Sequence, residues 1–175
     1  YENECVEYKS QLVDDIYKEV IAFANSEGGE IFVGVDRGGN AVGVANAEQA
    51  MEQIGNMIRD GIKPDLSAYT SISSTKEADK TIIKVTVLRG AKRPYHLTDK
   101  GLKPSGVFIR HGVSSVPATD EMIREMLRES DGVTFDKSRC VNQELTFVYA
   151  DQYFANAHVP FGESNKKTLK LLDAD

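Results

Sequence analysis

Tryptophan is absent, and cysteine, histidine and proline are sparse: two, three and five residues in a chain of 175. Each scarcity excludes something. Cys5 and Cys140 are too few for a disulfide-stapled scaffold, so both read as reduced thiols of an intracellular, cytoplasmic protein. His96, His111 and His158 lack the spacing of a zinc site, and no Cys-x-x-Cys pair exists to complete one. No Gly-x-Ser-x-Gly turn offers a serine nucleophile. No run approaches the ~20 apolar residues that a membrane-spanning helix needs, so no membrane partner is expected. A secretory signal is also missing, and the sequence begins at Tyr1 rather than Met, which reads as an excerpt of a longer protein.

Charge of one sign is scarce in the middle of the chain. The net charge is −6, but residues 1–65 carry −8, residues 66–111 carry +6 and residues 112–175 carry −4. A basic middle between acidic ends can present a positive surface on an acidic protein, or can simply be the wet face of a hairpin. A hydrophobic content of 41% is enough for a globular core.

The chain is organised around AFANSEGGEIFVGVD, residues 22–36. From Asp14 the apolar residues Ile16, Val20, Phe23 and Ala24, widened by Tyr17 and Ile21, fall at helical spacing, and Asp14 and Asp15 suit the positive end of the helix dipole. Gly28 is placed to end that helix in a left-handed conformation. Asn25, near its end, reads first as a cap for loose backbone groups and second as a side chain aimed at a ligand. Residues 30–35 are apolar on both faces, which predicts a central strand, and Asp36 stands at its exit. Residues 36–40 then turn, and 41–44 return as a hairpin partner. These glycines do not make a phosphate cradle, since no Lys-Ser/Thr pair and no helix follow them.

Around this unit, residues 4–9 predict a strand with Glu7 and Lys9 on one face, as an exposed ion pair worth ~0–1 kcal/mol. Asn46 and Gln49 open a second helix with the stripe Ala50, Met51, Ile54 and Ile58, stopped by Gly61 and Pro64. Strands follow at about 66–74 and 81–88, then short ones at 95–97 and 106–110. Thr119 caps a third helix whose inward face is Ile123, Met126 and Leu127. A boundary falls near Asp131, giving a domain over 1–130 and an extension or linker over 131–175. In that extension Val133 to Phe135 read as extended, Thr146 as the cap of a helix reaching about Ala157, and Lys166 to Leu172 as the start of another. The fold class is α+β: a mixed sheet flanked by helices, with a short C-terminal helical extension.

Two groups of residues carry candidate chemistry. Between 89 and 111, cations and rings alternate in the way that contact with nucleic-acid backbone and bases requires. Lys92, Arg93, Lys100, Lys103 and Arg110 are the candidate phosphate contacts, with Tyr95 as a stacking ring. The second group is acidic. If the first strand lies beside 30–35, Glu7 and Asp36 converge, and Glu2 joins them only if the chain bends before Glu4. Such a cluster needs Lys9, Arg37 or a divalent cation to offset its repulsion, and oxygen-only ligands favour Mg²⁺ or Mn²⁺, which could support phosphodiester hydrolysis. No other cofactor is indicated.

The ordered series ENECVEYK, VIAFANSEGGEIFVGVD, VGV, Pro64, RPY (Arg93 to Tyr95) and VFIRHG (Val107 to Gly112) resembles the Schlafen AlbA-like domain over about Glu2 to Leu127. Asn3, Tyr8 and Arg37 depart from the family's usual Ser, Phe and second Asp. The resemblance implies one of two functions. Bacterial members stand at the N-terminus of transcriptional regulators, often labelled ATP-binding or helicase-related, and are taken as DNA-binding modules; an ATPase-like region and a winged helix would follow. Animal relatives include endoribonucleases acting on structured RNA, whose two glutamates and aspartate correspond by motif to Glu2, Glu7 and Asp36, as catalytic residues and metal ligands. That nuclease fold pairs two such lobes, so one lobe would need a homodimer to form a comparable groove. The reading adopted is a DNA-binding module of a bacterial transcriptional regulator. The metal-dependent endoribonuclease and a protein-interaction or dimerisation module are the alternatives, and whether the chain is an enzyme stays open.

Overall fold

A computed structural model of the chain describes residues 2–13, 16–131 and 148–168. The chain divides into two compact units, Tyr1–Lys137 and Ser138–Asp175. The first is α+β.

Its centre is a four-stranded mixed sheet in the order β1 (Val6–Lys9), β2 (Gly29–Val33), β5 (Lys80–Val87), β4 (Thr70–Glu77). β1 and β2 run parallel, with Glu7 opposite Ile31, and the other neighbours are antiparallel. Parallel neighbours need a crossover, and helix α1 (Ile16–Asn25) provides it. As its all-apolar pattern predicts, β2 is interior, between β1 and β5. Ile31 and Val33 are buried against Val20, Phe23, Ile83 and Val85 in one core that also takes in Ile54, Ile58 and Tyr95.

The double glycine joins α1 to β2 for two separate reasons. Gly28 adopts φ +83° and donates its N–H to Phe23 O at 2.9 Å, closing the helix. Gly29 makes room: a Cβ there would meet the Phe23 ring at 2.3 Å and Cys5 O at 2.7 Å. Helix and strand therefore pack at a separation that no side chain at 29 would allow.

Helix α2 (Ala47–Gly61) starts where Asn46 Oδ1 accepts from Gln49 N, and buries Ala50, Ile54, Met57 and Ile58, with Met51 only partly covered. Helix α3 (Asp120–Ser130) is capped by Thr119, whose Oγ1 accepts from Met122 N, and buries Ile123 and Met126. Two-residue strands β3 (Ile62–Lys63) and β6 (His96–Leu97) pair with each other, and β7 (Phe108–His111) pairs with β8 (Ser114–Pro117).

Several expectations need correction. Residues 41–44 do not return as a full strand. One bridge forms between Val35 and Ala41, and then Val42 N and Gly43 N both donate to Gly34 O. Gly34 and Gly43, at φ +93° and +86°, turn the backbone out of ladder geometry. β4 begins at Thr70 because Asp65 draws Ser67 into a 3-10 turn, accepting from its N–H at 3.0 Å and its hydroxyl at 2.7 Å. It then runs on to Glu77, and Ala78 and Asp79, both at positive φ, make the tight turn into β5. Strand 106–110 shifts to 108–111 and acquires β8 as a partner.

The second unit holds α4 (Val148–Asn156) and α5 (Glu163–Thr168), with the rings of Phe154 and Phe161 stacked 4.4 Å apart and Lys166 Nζ 3.1 Å from Asp151. The readings placed on Asp14, Asp15, Val133 to Phe135, Cys140, Thr146 and Leu172 lie outside the described residues. Among those described, no helix is long and apolar enough to cross a membrane.

Candidate functional site

Glu2, Glu7 and Asp36 line one cavity of about 560 Å³, with Tyr8, Lys9 and Arg37 among its other walls. The chain does bend, but at Glu4 and Cys5 rather than before Glu4, so β1 starts at Val6 and not at residue 4. Asn3 and Val6 exchange backbone hydrogen bonds of 3.1 and 3.3 Å, folding the chain back on itself before β1, and Glu2 Oε1 accepts from Tyr8 N at 3.2 Å. Asp36 is fixed by its own turn. Oδ1 accepts from Gly38 N at 2.8 Å and Asn40 N at 2.9 Å, and both carboxylate oxygens accept from Asn40 Nδ2. The Asn40 backbone and side-chain amides, supported by those of Gly38 and Gly39, hold its pKa below the usual carboxylate value.

Glu7 is a different case from the exposed pair expected of it, because it is only 9% exposed. Its partner on α1 is Glu19, equally buried at 8%. Two cations hold these carboxylates. Lys9 Nζ lies 2.9 Å from Glu7 Oε1 and 3.2 Å from Glu19 Oε1. Arg110 Nη1, delivered by β7, lies 3.2 Å from Glu7 Oε2 and 3.0 Å from Glu19 Oε2. The ring is therefore closed and alternates in sign. Ser115 on β8 donates its hydroxyl to Glu19, and Arg110 Nη2 donates to Asn3 O and Val113 O, both at 3.0 Å. The guanidinium also stacks on Phe23, 4.7 Å from the ring centroid. Three stretches distant in sequence, 3–9, 19–23 and 110–115, meet on this one cluster.

Burial alone would lower the Lys9 pKa. The hydrogen bond to Glu7 and the field of Glu19 and Glu7 outweigh it, and the net shift is upward from 10.5. A cation whose pKa rises on folding contributes stability that is complete below its unfolded value and is lost as pH rises through the folded one. The stability difference between wild type and Lys9→Met should therefore be constant from neutral pH to about 10.5 and shrink above it. Urea unfolding at a series of alkaline pH values measures this.

The arrangement does not fit a divalent metal as it stands. Glu7 has both oxygens on cations and Asp36 has both on its turn, and among the described residues no group of three or more His, Cys, Asp or Glu side chains is placed to hold an ion. Glu2, Glu7 and Asp36 share walls of a cavity without converging on a point.

The basic candidates separate into two sets. Lys92, Lys100 and Lys103 are exposed, and Lys100 reaches Asp99 at 3.3 Å. Arg93 is half-buried, with one nitrogen 3.0 Å from Asn25 O and another 2.5 Å from Glu129 Oε2. Tyr95 and Arg110, named above as a stacking ring and a phosphate contact, lie inside. Tyr95 is fully buried, its hydroxyl accepting from Lys92 N at 3.3 Å, and burial pushes its pKa up. It has no ring face open to a base. The Arg110 side chain is 3% exposed, with Nη1 on protein carboxylates and Nη2 on backbone carbonyls, while among the described residues its buried Nε has no partner. Asn25 also departs from expectation, since its side chain caps no helix group but ties in the backbones of Tyr95 and Phe108.

Glu19 escaped the sequence reading although a signal existed. It lies one turn after Ile16 and one before Phe23, on the apolar stripe of α1, where an acidic residue requires a buried partner.

A family model for Schlafen, AlbA_2 matches residues 2–119, about two thirds of the chain. The chain belongs to the Schlafen AlbA_2 family. Two solved structures are similar. One is the N-terminal domain of a "Putative ATP-dependent DNA Helicase RecG-related Protein" from Nitrosomonas europaea, at 23% identity and TM-score 0.47, covering 63% of this chain and 78% of that one. The other is the DIP2311 protein from Corynebacterium diphtheriae, at 18% identity and TM-score 0.51, covering 73% of this chain but only 24% of that one. The latter supports the likeness of fold alone, over a quarter of a longer protein. No curated protein matches the sequence. Within this Schlafen AlbA_2 domain the matched region contains every member of the charge ring and every basic candidate.

Proposed function

We propose that this chain is a nucleic-acid-binding module, taking DNA, of a bacterial transcriptional regulator. The observation that carries the reading is the group of exposed lysines, Lys92, Lys100 and Lys103, on the loops at either end of β6. They stand in a segment of net charge +6 within a chain of net charge −6. Among the described residues the ammonium groups of Lys92 and Lys103 have no carboxylate at ion-pair distance, and Lys100 has only its sequence neighbour. Ammonium groups so disposed can take phosphate oxygens in place of solvent and release the counterions condensed on the duplex. Arg93 adds a partly shielded charge beside them. Arg110 and Tyr95 act through the scaffold that presents these loops. Membership of the family supports the reading, and the binding does not depend on a metal or on hydrolysis.

Fluorescence anisotropy with a labelled duplex tests it. Affinity should fall steeply between about 50 and 200 mM salt, and each lysine changed to alanine should reduce the slope of log K against log salt by about one. A triple Lys92→Glu, Lys100→Glu, Lys103→Glu variant should lose binding while keeping its melting temperature. Affinity that is flat with salt, or no binding at all, would sink the proposal. A stable homodimer indifferent to DNA, seen by light scattering, would favour an interaction module instead. The same titration with structured RNA decides between the two nucleic acids.

A further inference from the structure

Of the four residues in the buried charge ring, only Glu7 and Lys9 line the cavity that Glu2 and Asp36 share. Arg110 and Glu19 stand behind them, with side chains 3% and 10% exposed. Within the ring each carboxylate gives one oxygen to the ammonium and one to the guanidinium, so two negative and two positive charges cancel. An incoming cation that sought Glu7 from the cavity would meet an ammonium already 2.9 Å from its Oε1. The endoribonuclease alternative implied by the family resemblance calls for a divalent metal here, and the geometry does not fit one.

We propose that Lys9 is the resident cation of this site. Its ammonium holds the place on Glu7 that a metal would need, and a hard divalent ion such as Mg²⁺ or Mn²⁺ gains the cavity's carboxylates only by displacing it. Three observations converge on this. Glu7 and Glu19 are buried and need compensation. Lys9 spans both of them from the cavity side, its ammonium 2.9 Å from Glu7 and 3.2 Å from Glu19. Asp36 and Glu2, the other two acids of the cavity, are held by backbone amides rather than by a shared cation.

A lysine on a flexible stem is a displaceable cation in a way that Arg110 is not. Arg110 Nη1 is shared by Glu7, Glu19 and Ser115, while Nη2 is tied to two backbone carbonyls. Among the described residues Lys9 has only its two carboxylates. The consequence is a switchable site: closed to divalent ions while Lys9 is in place, and open when it is withdrawn. The inference is independent of nucleic-acid binding, and its test contains no nucleic acid.

The experiment is a Mn²⁺ titration of the 175-residue chain, following free Mn²⁺ by electron paramagnetic resonance. Wild type, Lys9→Met and the double variant Lys9→Met, Asp36→Asn are compared, with circular dichroism to establish folding. Lys9→Met should bind one Mn²⁺ about tenfold or more tightly than wild type, because a unit positive charge has left the site. Asp36→Asn in that background should reverse the gain. A folded Lys9→Met that binds Mn²⁺ no better than wild type overturns the proposal, and a ring with a structural role alone gives that result. If Lys9→Met does not fold, the wild-type chain decides, with Mg²⁺ titrated against the NMR signal of the Lys9 side chain. Weak or absent uptake, with any uptake shifting the Lys9 signal, supports displacement. Tight stoichiometric uptake that leaves the Lys9 signal unmoved overturns it.

Discussion

Arg110→Ala should destabilise the first unit by about 3–5 kcal/mol, the range for removing one partner of a buried ion pair and stranding the other. Arg110 makes contacts that no shorter cation can reproduce together. Its Nη1 lies within 3.2 Å of Glu7, Glu19 and Ser115, and its Nη2 donates to Asn3 O and Val113 O. Glu7 and Glu19 are 9% and 8% exposed in the intact chain, and without Arg110 Lys9 is, among the described residues, the only cation left between their two negative charges. Arg110→Lys should recover little, because an ammonium is a point charge and cannot bridge two carboxylates while also reaching two carbonyls. Urea unfolding of wild type, Arg110→Ala and Arg110→Lys measures the effect. A loss under about 1 kcal/mol for Arg110→Ala, the scale of an exposed ion pair, would show that the ring is solvated rather than buried. The variant also separates the two roles considered for this arginine. A phosphate contact at the surface would weaken DNA binding and leave stability unchanged, and the burial of this side chain gives the reverse order of effects.

Why Arg110 and Tyr95 looked like ligand contacts, and Glu19 like nothing at all, has a physical answer. Local periodicity reports the environment of an element from its immediate neighbours. It located α1 with its Gly28 stop, the interior position of β2, the Asn46 and Thr119 caps, and the inward faces of α2 and α3, because each depends on residues a few positions apart. The charge ring depends on pairings that separate Arg110 from Glu7 by 103 positions and from Glu19 by 91. A basic residue in a basic stretch is indistinguishable from a surface cation until its partners are in place. The shared cavity was nearer to hand. Strand parity stated that a bend is needed for Glu2 and Glu7 to face Asp36 together, and the turn at Glu4 and Cys5, closed by the Asn3–Val6 bridge, supplies it slightly later than expected. Parity also placed Lys9 beside Glu7; what it could not supply was Glu19 and Arg110 closing a buried ring around them. The same separation of local from long-range information explains Asn25, whose position at the end of a helix suggested a cap.

Asn25→Ala should be nearly as damaging, at about 3 kcal/mol, because it leaves several buried backbone groups without partners rather than one. The Asn25 side chain makes three hydrogen bonds to backbone: Nδ2 donates to Tyr95 O and to Phe108 O, both at 2.9 Å, and Oδ1 accepts from Tyr95 N at 2.7 Å. Tyr95, Phe108 and Asn25 itself are all buried, so water cannot replace the amide. One side chain thus does for Tyr95 what a neighbouring strand would do, and at the same time pins Phe108, the first residue of β7, to the end of α1. Asn25→Asp is the more discriminating variant. It keeps the size and can still accept from Tyr95 N, but it turns two donated bonds into contacts between a carboxylate and carbonyl oxygens, so it should lose at least as much stability as alanine. Thermal unfolding of both variants, with hydrogen exchange at Tyr95 N–H, reads the effect locally as well as globally. Exchange at Tyr95 should accelerate in Asn25→Ala before the rest of the sheet opens. If that amide stays as protected as in wild type, the bracket is not what holds this segment. The functional consequence follows from position: Asn25 fixes Tyr95, Arg93 donates to Asn25 O, and the loops that carry Lys92, Lys100 and Lys103 hang from that segment. Loosening the bracket should therefore weaken DNA binding at temperatures where the sheet is still folded, through loops that no longer hold their lysines in register.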